Sequence, residues 1–473
     1  MDAQIRQILE WSGEPVTALH AFEQLQELYL QYKGHALDLE PVNTKRMLSI
    51  LGNSHFLTQF LLKNAAEIDL LTESNAIETE KKMEHFLEEL SVLSETYSHN
   101  VDDFKLQLRN YKYREFLRIT VKDLSQAAGQ KIILEELSDL ACALVQAALG
   151  FELKRLQEES PSFFKDEERW KPEHCGFQVI AMGKLGAREI NYSSDIDLQY
   201  VYDLAPEEIN PEPLGLREFY YKLAERLTQT LSSKSPEGFL YRVDLDLRPE
   251  GKSGPLVNSL YALENYYEAF GEEWERQALI RAIPIAGDEK LKKDFLSLVH
   301  PFVWRKHVDL STIDRMKAMK AKVHESSRKK LARGFNVKLD EGGIREIEFF
   351  VQTLQLLFGG QQPSLQTPST FEALKNLTQL KRISEQDESQ LTDAYLFLRR
   401  VEHRLQLVHE AQTHNIPQNI SEQMALARRM GYYDEDLEKA HARFMDDLTH
   451  TTSMVQNIFK NLFDQEMKVD GES

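Results

Sequence analysis

The chain has 473 residues, 42% hydrophobic and 28% charged, a balance that suits a folded protein with a sizeable core and excludes a fibrous or disordered one. A formal charge of −19 removes long-range attraction to nucleic-acid phosphates and to anionic lipid. Cys142 and Cys175 are the only cysteines and lack metal-ligand spacing, which excludes a disulfide framework and a structural zinc site and points to a reducing cytoplasm. The start, Met1-Asp2-Ala3-Gln4-Ile5, has no basic flank leading into an apolar run, and no stretch approaches ~20 uninterrupted apolar residues, which argues against export and membrane insertion.

From Ile5 to about Leu156 apolar residues recur at spacings of three and four, as in Phe22, Leu25, Leu28, Tyr29 and in Phe56, Phe60, Leu61. Breaks at Gly34, Pro41 and Gly52-Asn53 divide this region into several helices, and Leu137, Leu140, Ala141 and Leu144 continue the pattern. Between Phe177 and Gly287 the texture changes. Gln178–Met182, Ile196–Tyr202 and Phe239–Leu247 read as strands, separated by a helical stretch around Leu216 to Leu231. After about Leu298 the helical period returns and runs to about Phe463, punctuated by Gly342-Gly343 and Gly359-Gly360. The expected fold is mixed and mostly α-helical, with a central α/β domain built on a small mixed sheet. We divide the chain into an N-terminal helical region, 1–125, an α/β domain with leading helices, 126–297, a C-terminal helical domain, 298–465, and a polar tail, 466–473.

The chemistry concentrates in the α/β segment. Met182-Gly183-Lys184 forms a glycine turn after one strand, and Ser193-Ser194-Asp195-Ile196-Asp197-Leu198 carries two carboxylates at i and i+2 on the next. A strand puts both carboxylates on one face, where they repel unless cations lie between them; hard oxygen donors of this kind suit Mg²⁺ or Mn²⁺. Asp244, flanked by Val243 and Leu245, is placed to complete an acidic triad from a neighbouring strand. An isolated Asp-x-Asp is more often a solvated strand face, but apolar flanks, the preceding turn and a third Asp favour phosphoryl-type chemistry here. Gly183 can let a phosphate approach the backbone, and Lys184 can neutralise it; the plain alternative is a strand-to-helix turn with an exposed lysine. Ser194 either hydrogen-bonds a phosphate oxygen or caps its turn.

The ordered motifs MGKLGAREINYSSDIDLQY, YRVDLDLRPEGKSGPL and EEWERQALIRA resemble those of glutamine synthetase adenylyltransferases, and the similarity extends through LGNSHFLTQFLLKNAAEIDLL and NVKLDEGGIREIEFFVQTLQLLFGGQQPSLQTPSTFEAL. It leaves about the first forty residues and the tail weakly covered. Such enzymes carry two nucleotidyltransferase halves, one attaching AMP to a glutamine synthetase tyrosine and one removing it by phosphorolysis. This chain has one such half. Gly342–Phe349 and Phe397–Glu402 are more similar to the N-terminal, deadenylylating half.

That resemblance implies a nucleotidyltransferase-type central domain with Asp195, Asp197 and Asp244 as metal-binding catalytic carboxylates; Gly183, Lys184, Ser194 and Arg248 are the candidates for the phosphate side. Its implied partners are adenylylated glutamine synthetase and PII signal protein, with phosphate consumed and ADP released. The reverse direction, AMP transfer from ATP, and a catalytically inert adaptor that binds the synthetase or PII are the alternatives. Two positions depart from the family pattern: Asp246 and Ile283 stand where basic residues are frequent. Asp246 shares the Asp244 face of an extended strand, and either enlarges the acidic site or pairs with Arg242 or Arg248. Arg345, Glu348 and Gln352 fall on adjacent helical turns and either touch substrate or join an ion-pair network with Arg399, Arg400 or Glu402. Trp274 is expected in the core, and His403 and His409 at the surface or in packing rather than as ligands.

Overall fold

The computed structural model describes residue 5 and residues 12–37, 40–72, 77–97, 99–210, 215–236, 238–306 and 334–469. The helical periodicity expected over 307–333 and the end of the tail, 470–473, lie outside these residues. The breaks read from the sequence fall between helices α1 (Pro15–Lys33), α2 (Pro41–Leu51) and α3 (His55–Lys63). Gly34 ends the first in a left-handed conformation with its N–H on the Leu30 carbonyl, proline opens the second, and the Ser54 hydroxyl caps the third. Helices α4 (Ile68–Thr72), α5 (Met83–Thr96), α6 (Val101–Leu124) and α7 (Gln130–Glu159) complete the N-terminal array.

The α/β segment then runs β1 (Phe177–Met182), α8 (Gly183–Gly186), β2 (Asp195–Tyr202), α9 (Leu216–Ser232), β3 (Arg242–Asp244), β4 (Val257–Ser259), α10 (Leu260–Ala269), α11 (Glu273–Leu279) and β5 (Ile283–Gly287). Strand β1 pairs antiparallel with β2 and β5, while β3 and β4 both pair parallel with β2 along successive stretches of one edge. The five-stranded sheet is therefore mixed and small, as expected. Chain continuation is helical: α12 (Glu289–Val303), α13 (Ile344–Phe358), α14 (Thr370–Gln379), α15 (Glu385–Gln406), α16 (Ile420–Arg429) and α17 (Leu437–Val469). Among the described residues no helix is long and apolar enough to cross a membrane.

The two-residue period of the strands decides what each sheet face buries. Phe177, Val179, Ala181, Ile196, Leu198 and Tyr200 join one core with the N-terminal helices. Ile180, Met182 and Val201 face the other way, into a second core with Leu263, Tyr267, Leu279, Phe295 and Phe302 from α10, α11 and α12. A third core, from Val337 to Phe459, belongs to the C-terminal helices. Asp195 and Asp197 share the period of Val201, so they look away from the N-terminal array.

Three expectations are corrected. The strand read over Phe239–Leu247 shrinks to three residues, because the Asp244 carboxylate accepts the Asp246 N–H at 2.8 Å and turns the chain. Asp246 consequently leaves the sheet and pairs with Lys252 at 3.3 Å, not with Arg242 or Arg248. Trp274 is 36% exposed on α11, with its indole N–H on Glu272, rather than in the core. His403 is buried, and His409 stacks on His55 with ring centroids 4.8 Å apart.

Candidate active site

Parallel pairing of β2 with β3 sets Asp195 opposite Arg242 and Asp197 opposite Asp244. Directly paired residues point to one face, so the three carboxylates and the Arg242 guanidinium share the face away from the N-terminal helices. Gly183, which directly follows β1, adopts φ +57°, and a Cβ there would lie 2.2 Å from Asp197 Oδ2. The glycine thus serves a left-handed turn and the close approach of a carboxylate.

Charge in this cluster is unevenly satisfied. Arg242 Nε donates to Asp195 Oδ1 at 2.6 Å, and Gln412 Nε2 donates to Asp195 Oδ2 at 2.9 Å. Burial, and then the like charges of Asp244 and Asp195, push the Asp197 carboxyl up to about 7, against the pull of Lys338 and Lys184. Among the described residues no three His, Cys, Asp or Glu side chains are gathered into a finished metal cage. Asp195, Asp197 and Asp244 are nonetheless hard oxygen donors on one face, and their mutual repulsion is what a divalent cation would offset.

The remaining candidates are held by the protein. Lys184 Nζ donates to both oxygens of Glu402 on α15, at 2.8 and 2.9 Å. Burial alone would raise Glu402, yet Lys184, a hydrogen bond from His414 and the Arg399 charge carry it well below the usual carboxylate range. Ser194 Oγ accepts the Asn191 N–H at 3.3 Å and so caps its own turn. Arg248 donates to the carbonyls of Leu245, Lys252, Gly254 and Pro255, which fastens the loop between β3 and β4.

Behind the cluster, α15 grips the loop that leads into β2. Arg399 donates to the Glu189 carbonyl and to Asn191 Oδ1; His403 Nε2 lies 3.1 Å from the same Asn191 oxygen. Arg281 bonds Glu348 at 3.2 Å, and the Tyr395 hydroxyl donates to both Glu348 and Glu189. Glu348 therefore joins a buried ion-pair network, Gln352 accepts from Gln277 at 2.8 Å, and Arg345 is exposed. The loop after α15 closes the site's edge. Ser193 Oγ donates to the Glu410 carbonyl, and the Glu410 carboxylate accepts from Lys112 Nζ at 2.6 Å and the Tyr113 hydroxyl at 2.8 Å. Lys112 lies 4.8 to 5.1 Å from the rings of Tyr113, Phe116, Phe239 and Tyr241. Sequence reasoning missed Gln412, Glu402 as the partner of Lys184, and Lys338, since each comes from a segment far along the chain. The sole signal was Lys338's place in NVKLDEGGIREIEFF.

A mixed sheet that lines up acidic residues from two neighbouring strands beside a glycine turn, wrapped by helices, defines a nucleotidyltransferase-type protein. The family model described as Glutamate-ammonia ligase adenylyltransferase matches residues 44–298, and the chain belongs to that family. A second model, GlnD PII-uridylyltransferase, matches residues 317–463. The chain is similar to proteins named bifunctional glutamine synthetase adenylyltransferase/adenylyl-removing enzyme. Identity is 40% to that of Xanthobacter autotrophicus over 76% of this chain and 36% of the relative. It is 38% to that of Nitrosococcus oceani over 75% and 36%, and 32% to that of Bartonella quintana over 94% and 44%. The chain thus spans less than half the length of these curated relatives.

Proposed function

We propose that this chain removes AMP from adenylylated glutamine synthetase by phosphorolysis in the cytoplasm. An oxygen of inorganic phosphate attacks the phosphorus of adenylyl-tyrosine, the bond to the tyrosine oxygen breaks, and ADP and the unmodified tyrosine leave. The observation that carries this reading is the register of β2 and β3, which gives Asp195, Asp197 and Asp244 one common face beside Gly183. Mg²⁺ or Mn²⁺ held by these carboxylates would supply positive charge for the phosphoryl group and the leaving phenolate. Arg242 orients Asp195, and the Gly183 turn lets Asp197 press against the backbone. Similarity of Gly342–Phe349 and Phe397–Glu402 to the deadenylylating half favours removal over addition. Regulation by PII protein is consistent with the second family match over the C-terminal helices.

The relatives' names carry both directions, so AMP transfer from ATP is the second reading. Asp197→Asn is expected to reduce phosphate-dependent ADP release from adenylylated synthetase at least about a hundredfold. Undiminished release overturns the proposal, and AMP labelling of unmodified synthetase from ATP without removal favours the second reading.

A further inference from the structure

We propose that Lys338 supplies the ammonium that binds a phosphoryl group at this site, the part expected of Lys184; this rests on the reading of the site given above. Lys184 is committed, with both Glu402 oxygens on its ammonium. The other nearby cations are committed as well: Arg242 to Asp195 and Ser193, Arg281 to Glu348 and Thr370, Arg399 to Asn191 and the Glu189 carbonyl. Lys338 is half-buried and, among the described residues, its ammonium has no hydrogen-bonding or ion-pair partner.

Its backbone is fixed in place. The Lys338 N–H donates to Asn336 Oδ1 at 3.1 Å, its carbonyl accepts the Arg345 N–H at 3.0 Å, and the neighbouring Val337 N–H donates to the His414 carbonyl at 2.9 Å. His414 in turn meets Glu402 at 2.8 Å, and Glu402 holds Lys184, the residue after Gly183, whose turn closely approaches Asp197. From there its charge reaches Asp197 and Glu348. An ammonium next to a carboxylate cluster, with three N–H donors to give, suits the non-bridging oxygens of a phosphoryl group.

Calorimetric titration of the whole chain with ADP in Mg²⁺ tests this independently of turnover. K338Q is expected to weaken ADP binding about tenfold and K338R to restore it to within about threefold, with the unfolding midpoint unchanged. K338M, which keeps the aliphatic stem, repeats the comparison. Wild-type affinity in K338Q and K338M overturns the inference, as does a wild-type chain that binds no ADP. In steady-state removal assays, a raised KM for phosphate in K338Q places the lysine on the attacking phosphate, and a raised KM for adenylylated synthetase places it on the adenylyl phosphoryl. A wild-type chain that binds ADP through Lys338 but gives no phosphate-dependent ADP release from adenylylated synthetase defeats the proposed activity alone.

Discussion

Gly183 and Asp197 meet so closely that a single added methyl on the glycine would come 2.2 Å from the Asp197 carboxylate. Gly183→Ala must therefore move Asp197 as well as hold an L-residue at φ +57°. We expect a loss of about 1–3 kcal/mol in stability and at least a tenfold fall in phosphate-dependent ADP release. Thermal melts and the release assay check this, and full activity in G183A would remove Gly183 from the site's architecture.

The Lys184–Glu402 pair is a tie between the sheet and α15. Glu402→Gln leaves Lys184, Arg399 and His414 facing one neutral group in a buried setting. Breaking a buried pair from one side costs about 3–5 kcal/mol, so denaturant unfolding of E402Q should show a loss in that range. Replacing both partners, as in K184M/E402L, should recover part of it. A silent E402Q would mean that the pair holds nothing together.

Glu348 gives the acid limit of stability. Burial alone would raise its carboxyl, yet Arg281, Lys184, Arg399 and Lys338 bring it from the ordinary 4.5 down to about 2. With the folded value depressed, the unfolded chain binds the proton first as pH falls. The contribution is complete above 4.5 and is lost as pH falls from there through about 2. His403, lowered by burial, adds to the same trend below its ordinary 6.5, because the unfolded chain again takes up the proton first. Unfolding free energy measured against pH should fall on acidification, with a shallower slope below 4.5 in Glu348→Gln than in wild type. Equal slopes contradict the ion-pair assignment.

How far the sequence spoke depended on range. Helix boundaries near Gly34, Pro41 and Gly52 were legible because caps and breakers act within a few residues. Asp195 and Asp197 could be set on one strand face because the strand period is local. The third strand was misjudged beyond Asp244, since alternation over Phe239–Leu247 looks extended while a side-chain cap at Asp246 and the Arg248 carbonyl bonds bend it. Lys184 read either as a phosphate ligand or as an exposed turn lysine, and its Glu402 partner, 218 residues further on, was beyond the reach of local reasoning. Trp274 looked like core because bulk and helix spacing do not reveal which side of a short helix is covered.

The grip of α6 on the loop after α15 has a practical outcome. Lys112 and Tyr113 anchor Glu410, Glu410 receives Ser193, and two residues later Gln412 touches Asp195. A fragment trimmed to the strands and their adjoining helices would lose the struts that aim its acidic residues. Dissection of this protein must keep the segments before and after the sheet together, and a disturbance in either helical arm has a direct route to the centre.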